Sequence, residues 1–484
     1  MRNVIRLLFV AVICVFIFNI KTHAQTVNRS EAQNAAESYI SLRHPGQTLL
    51  NPEPLVSGND SIAWVFQCIP QGFIVISSNR LLPPVLAWSD EGYFGEGIAW
   101  ESFLPIFQHD LKTRLELASA ESSESNINRQ KWASLTDQNR IPGDFQQWPP
   151  AGWSSTGGWL FTNWTQTSPY NALCPIDGQT QMRSYAGCPA TAMAQIVNFH
   201  HKTNETRFSD ADDYYHNFGS GNSYWIDNDW ETRGFPSWDH LNVYLDTLEA
   251  HYLQGVPLTN TDKAALTFAC GAAAKQVYSS SVSGTYGVDQ AFDAYIRFGY
   301  SDARLEGSTN PDLNTQLAQN IMQALPAHLA LVNADWTVGH NVVIDGYNTD
   351  ELFHFNFGWG GSANGWYTMP PADIPYDLTV IEGVVMDINL SSPPVGLAEK
   401  INPEETVKIF YIADEEKLRI VTSGKLPDAA LFIYDNTGKI IRQDKSVFAD
   451  KSESFDVALP NLASGLYIAR LAVGNRSVGC KFVR

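Results

Sequence analysis

Cysteine pairs are missing from this chain. Six cysteines occur in 484 residues, and one of them, Cys14, lies inside an N-terminal apolar run. The other five, Cys68, Cys174, Cys188, Cys270 and Cys480, form no C-x-x-C unit, which excludes a zinc site of the usual spacing. Their odd number leaves at least one thiol free. Positive charge is scarce as well: 32 Lys and Arg face 51 Asp and Glu, a net charge of −19. Nucleic acid and anionic membranes both need clustered basic residues, so neither is expected as a partner. No apolar stretch beyond residues 7–20 approaches the roughly 20 residues of a membrane span. Asp227, Asn228 and Asp229 lack the glycine and distal glutamate that a calcium loop needs at fixed spacings, so they read as a solvated loop. No metal or organic cofactor is implied. What is abundant is apolar: 44% hydrophobic residues, with 14 Trp, 19 Tyr and 25 Phe, can build two or three ordinary cores.

Taken in order, the chain divides into five parts. Arg2 and Arg6 precede the apolar run, and Thr22-His23-Ala24 offers a small residue before Gln25, so residues 1–24 read as a secretory signal peptide. Within residues 25–146, helical spacing begins at Ser30, a possible cap. Ile62-Ala-Trp-Val-Phe-Gln-Cys and Gly72-Phe-Ile-Val-Ile-Ser then flank Pro70-Gln71-Gly72 as a hairpin would. A helix is predicted over 102–117 with Pro105 in its first turn, and the polar stretch 118–140 reads as an exposed connector. Residues 147–390 open on a turn-rich loop, 164–175, and predict helices from Cys188 and over 264–278, 288–298 and 313–325. Short β-rich runs at 330–333, 341–345 and 352–357 follow. Helices first and antiparallel sheet second make this part α+β. A proline-containing linker, 391–405, leads to residues 406–484, where short strands at even spacing predict a small β-sandwich.

Cys188 is the residue around which the chemistry gathers. Pro189 suits a first helical position, so Cys188 heads a helix whose following residues carry little bulk and few charges, as in a buried helix. The dipole there favours a thiolate by about 0.3–1 kcal/mol, less than one pKa unit, so a cationic partner is needed as well. Otherwise Cys188 is a small buried hydrophobe, and the helix start alone does not separate the two. His340 begins a strand, Asn341-Val-Val-Ile-Asp345, that turns at Gly346. The Asn356-Phe-Gly-Trp-Gly-Gly361 run ends the next one, so a hairpin could bring Asn356 and Trp359 beside His340, one to fix its tautomer and the other to shield it from water. The Cys188 N–H and the side-chain amide of Gln166 are candidate donors for an oxyanion.

On these motifs the sequence resembles the streptopain family of papain-like cysteine peptidases. They are Gln166-Thr-Ser-Pro-Tyr-Asn, Gly187-Cys-Pro-Ala-Thr-Ala-Met-Ala-Gln-Ile, Gly339-His-Asn-Val-Val-Ile-Asp-Gly and Phe353-His-Phe-Asn-Phe-Gly-Trp-Gly-Gly. The resemblance implies Cys188 as nucleophile, His340 as general base, Gln166 as oxyanion-hole donor, and Asn356 with Trp359 orienting His340. Phe357 stands where the family usually has tryptophan, Pro189 where it has valine, and the family's glycine-rich loop has no counterpart around 370–377. Residues 25–146 resemble the family's inhibitory propeptide, which would cover the cleft until removed. Residues 406–484, through Ala463-Ser-Gly-Leu-Tyr-Ile-Ala-Arg, resemble sorting domains exported by the type IX system of Bacteroidetes-like bacteria. The implied protein is a secreted or cell-surface endopeptidase of a Gram-negative bacterium, made as a zymogen. Its partners would be protein substrates, its own propeptide and the secretion machinery. A surface adhesion protein with an inactive peptidase core, or a cysteine-dependent acyltransferase, are the alternatives.

Overall fold

The computed structural model describes residues 25–137, 145–370 and 379–389 and, between 407 and 483, seven strands with Leu459 and Leu462. Two compact units divide the chain, one ending at Ser391 and the other beginning at Ser392. Among the described residues, no helix is long and apolar enough to cross a membrane.

The first unit is built on one long antiparallel sheet with helices on both faces. Helix α1, Arg29–Arg43, starts one residue earlier than predicted. Its cap is Asn28, not Ser30, because Asn28 and Glu31 each satisfy the other's backbone N–H. Strands β1, Asp60–Ile69, and β2, Phe73–Ser77, form the predicted hairpin, and β3, Val85–Ser89, pairs with β2. Helix α2, Ile98–Leu117, starts four residues before the predicted position, which puts Pro105 in its interior and not in its first turn. The predicted connector over 118–140 contains a helix instead, α3, Ser123–Thr136. Its sequence is polar, but Trp132 and Leu135 are buried, and Asn128 and Trp132 donate to the Leu81 and Leu82 carbonyls at 2.7 and 3.0 Å. Two side chains anchor what composition assigned to solvent. The predicted peptidase helices occur in the expected order: α4, Cys188–His200; α6, Asn260–Ala273; α7, Val288–Arg297; and α8, Leu313–Met322. Between α4 and α6 lies α5, Trp238–Gln254, capped by Ser237, and before it a ribbon, Tyr214–Asn217 with Ser223–Ile226, leads into the turn at Asp227–Asp229.

Strands β4, Arg304–Glu306; β5, Ala327–Val332; β6, Gly339–Asn348; β7, Leu352–Asn356; β8, Gly365–Thr368; and β9, Ile381–Met386, complete the sheet. Its order runs β1-β2-β3-β8-β7-β6-β5-β9-β4. The N-terminal and peptidase halves therefore share one sheet, joined where Ala87 and Trp88 of β3 meet Tyr367 and Trp366 of β8. The two indoles at that seam stack at 6.0 Å. Alternation sends Val342 and Ile344 of β6 to a core under α2 and α8, and Val343 to a core under α4 to α7. Strands covered on both faces read as continuous apolar runs, as these do. Helix α2 crosses onto the peptidase half and buries Trp100, Phe103, Ile106, Phe107 and Leu111. Each such side chain contributes about 1.5–3 kcal/mol on leaving water.

The second unit has its own core, including Leu418, Ile420, Leu431, Ile433, Ala469 and Leu471. A three-stranded sheet, Val407–Ile412, Lys417–Thr422 and Glu453–Ala458, accompanies a four-stranded one, Ala429–Asp435, Ile440–Lys445, Leu466–Val473 and Arg476–Val483. This is the small β-sandwich expected from strand spacing. The linker and the Asn436-Thr-Gly438 turn lie outside the described residues.

Candidate active site

Cys188 stands at the first position of α4, and Gly187 makes that possible. Gly187 has φ +87°, and a Cβ there would lie 2.8 Å from the Gln276 side chain, so both the backbone and the space require glycine. Around it the chain is tied from three sides. Ala186 donates its N–H to the Gln166 carbonyl at 2.9 Å, Gln276 donates to the Ala186 carbonyl at 2.6 Å, and Tyr185 donates to the Ser279 carbonyl at 3.0 Å. Gln166 is thus placed beside the nucleophile's segment and is itself buried. Helix α4 carries no charged residue in its first turn, and its residues 189–197 are all buried.

Several groups act on the Cys188 thiol. Burial pushes its thiol up from the ordinary value, and Glu382 across the groove adds to the rise. Donors on Asn341 and the Cys188 amide pull the other way without prevailing. The half-buried sulfur has the Asn341 side-chain amide 3.8 Å away.

With the N-terminal segment in place, His340 makes no hydrogen bond to Cys188. Its neighbour Asn341 faces α4, while His340 follows the strand's alternation to the other face of the sheet, under α2. There its Nε2–H donates to the Phe357 carbonyl at 3.0 Å and its ring stacks on Phe357, 5.8 Å between centroids and 11° from parallel. Phe103 of α2 packs against the same Phe357 ring at 4.5 Å. Burial lowers the His340 pKa to about 4, so the imidazole is neutral at pH 7. With the thiol protonated and the imidazole neutral, this arrangement holds no thiolate–imidazolium pair.

Asn356 and Trp359 have other partners in this structure. Asn356 lies on the α4 face: its Nδ2 donates to the Thr162 carbonyl at 2.8 Å, and its Oδ1 accepts from Gln195 at 3.2 Å and from the Gly358 N–H at 3.1 Å. It braces α4 against β7 and does not touch His340. Trp359 packs edge-on to Tyr185 at 6.0 Å, close to the Cys188 segment, and its indole N–H has no partner among the described residues. The aromatic that holds His340 is Phe357.

Three groups escaped the sequence argument. Gln195 is fully buried in α4 and accepts from Trp164 N–H and Thr162 Oγ1, both at 3.0 Å; its signal is an amide inside the apolar run from Ala192 to Val197. Asp345 and His354 form a buried pair at 2.6 Å, with Asp345 also accepting from the Leu160 N–H at 3.0 Å. Gly158 lets the loop approach, since a Cβ there would strike the Asp345 carboxylate. His328, whose Nε2 lies 2.7 Å from Asn341 Oδ1, is the third.

Comparison with known proteins finds two families along the chain. Residues 164–367 match the Peptidase C10 family, and residues 24–114 match the Spi protease inhibitor family. Streptopain of Streptococcus pyogenes serotype M28 is 23% identical over 330 residues, covering 63% of this chain and 73% of that protein. The thiol protease/hemagglutinin PrtT of Porphyromonas gingivalis is 24% identical over 358 residues, covering 71% of this chain and 38% of that protein. A structure of Prevotella intermedia prointerpain A aligns with a TM-score of 0.47 at 21% identity, covering 72% of this chain and all of that one.

Proposed function

From the premise that this chain is a cysteine peptidase of the Peptidase C10 family, made as a zymogen with its inhibitor attached, we propose that Cys188 is the nucleophile and His340 the general base. The observation that carries this assignment is that Cys188 heads the buried helix α4, and Asn341, beside His340 in β6, touches its sulfur. Latency follows from where His340 rests. Phe103 of the inhibitory segment holds Phe357, and Phe357 holds the neutral imidazole away from the sulfur.

Loss of residues 25–146 removes α2 and exposes Phe357 and His340. The start of β6, where His340 is the second residue, is then free to swing the imidazole round to Cys188, where it takes the thiol proton and forms the ion pair. The thiolate attacks a peptide carbonyl, the Cys188 N–H and Gln166 amide receive the oxyanion, and imidazolium protonates the leaving amine. Water, activated by the imidazole, clears the acyl-enzyme. Asn356 serves α4 by bracing it, and Trp359 walls the groove near Tyr185.

The signal at 1–24 and the peptidase limits 147–390 follow from residue pattern, and the second unit is a sorting domain for export through a type IX system. They make the protein secreted or surface-held on a Gram-negative bacterium, where an extracellular peptidase serves virulence. Its substrates are proteins or peptides.

The test is digestion of a broad protein substrate by the processed chain, with and without a thiol-directed epoxide. Cleavage is expected to vanish with the epoxide and in Cys188→Ala. Cleavage retained by Cys188→Ala removes the assignment.

A further inference from the structure

A line of buried polar groups ends on the nucleophile. Tyr295 and His328 are both inaccessible to solvent, and the Tyr295 hydroxyl lies 3.1 Å from His328 Nδ1. His328 Nε2 lies 2.7 Å from Asn341 Oδ1, and Asn341 Nδ2 lies 3.8 Å from Cys188 Sγ. The directions of these bonds follow from the orientation of the Asn341 amide, whose Oδ1 faces His328 and whose Nδ2 faces Cys188. Asn341 Oδ1 can only accept, so Nε2 of His328 carries the proton. The neutral ring's Nδ1 is then an acceptor, and Tyr295 donates to it. Burial brings the His328 pKa down to about 4, which keeps the ring neutral with a single N–H to give. Each donor therefore points towards the sulfur, and the Asn341 amide cannot turn its oxygen to Cys188 without breaking the bond to His328.

We propose that Asn341 is a catalytic hydrogen-bond donor to the Cys188 thiolate, and that His328 and Tyr295 are positioning residues that lock its amide in the donating orientation. The role rests on Cys188 being the nucleophile and adds a reason for the sulfur to ionise that the helix dipole and His340 do not supply. Isolated polar groups in an apolar core cost stability unless paired, and an apolar side chain would fill the His328 position more cheaply. A chain of donors whose last member meets the reactive atom gives that polar placement a use. Other groups near the sulfur act differently: Glu382 on β9 opposes ionisation, and His340 lies on the opposite face of the sheet.

The experiment is alkylation of the full-length chain by iodoacetamide across pH, read at the Cys188 peptide by mass spectrometry, with thermal melting as a check on folding. Asn341→Ala and His328→Leu are expected to raise the midpoint of alkylation by about one unit, a roughly tenfold slower reaction at neutral pH. His328→Gln, whose amide can still donate to Asn341, is expected to restore it. Tyr295→Phe removes one hydroxyl and is expected to raise the midpoint part of the way, because His328 is then free to take its other tautomer. If Asn341→Ala does not fold, His328→Leu against His328→Gln and Tyr295→Phe decide the matter. Folded variants with unchanged midpoints overturn the proposal. Alkylation reports the thiol whether or not peptide is cleaved, so retained cleavage in Cys188→Ala would overturn the nucleophile separately.

Discussion

At the scale of the residue, the chemistry turns on which atoms meet Cys188. Gln166 is buried next to it through the Ala186 bond, and Gln166→Ala in the processed enzyme is expected to slow peptide hydrolysis by about 10²–10³-fold. Steady-state rates on one peptide substrate check this, and an unchanged rate assigns the oxyanion to other donors. Gly187→Ala meets both a left-handed backbone and the Gln276 side chain. It is expected to lower the melting temperature and abolish cleavage together, measured by calorimetry and a protein digest. The positions of Cys188 and Gln166 were legible because a cysteine before a proline and an amide in a turn-rich loop are local signals. The partners of His340 were not. Its side-chain direction depends on strand alternation and on Phe103 over two hundred residues away, so the hairpin argument chose Asn356 and Trp359 where the structure has Phe357.

At the scale of the element, the proposed mechanism makes α2 the part that keeps the enzyme latent. Its hold is apolar around Phe103 and polar further along, where the buried Asp110–Arg114 pair at 2.5 Å meets Thr368 through Arg114 Nη1 at 2.9 Å. Phe103→Ala is expected to cost about 3–5 kcal/mol of that packing. The precursor should then lose its inhibitory segment sooner, while the processed enzyme, which lacks α2, keeps its normal rate. A time course of processing followed by a rate assay on the product separates the two effects. The start of α2 was misplaced because Pro105 suggests a beginning, whereas Ala99 and Trp100 pack well enough to extend the helix beyond it. Helix α3 was missed for the reverse reason, since long-range burial of Trp132 outweighs a polar sequence.

At the scale of the whole molecule, one sheet joins inhibitor and peptidase, and buried histidines tie its stability to pH. His328 and His340 are held near pKa 4 when folded but return to about 6.5 when unfolded. The unfolded chain therefore binds protons first as pH falls. Stability is full above pH 6.5 and declines towards pH 4, by about 2 kcal/mol per histidine at pH 5. Melting temperatures of the intact chain should fall from pH 7 to pH 5, and His328→Gln should flatten that fall. The architecture was legible in outline, with α+β and a terminal sandwich, because hydrophobic period and strand spacing are properties of the sequence. The shared sheet was not, because the pairing of β3 with β8 spans more than 270 residues and leaves no local trace.

The pH dependence of Cys188 alkylation, measured on the intact chain and again after residues 25–146 are removed, bears most directly on the central claim. The intact chain should show a midpoint above that of an ordinary thiol, as burial and the absent imidazolium require. After removal the midpoint should fall well into the acid range. The same midpoint before and after would contradict the account, because His340 would then have no part in ionising the sulfur.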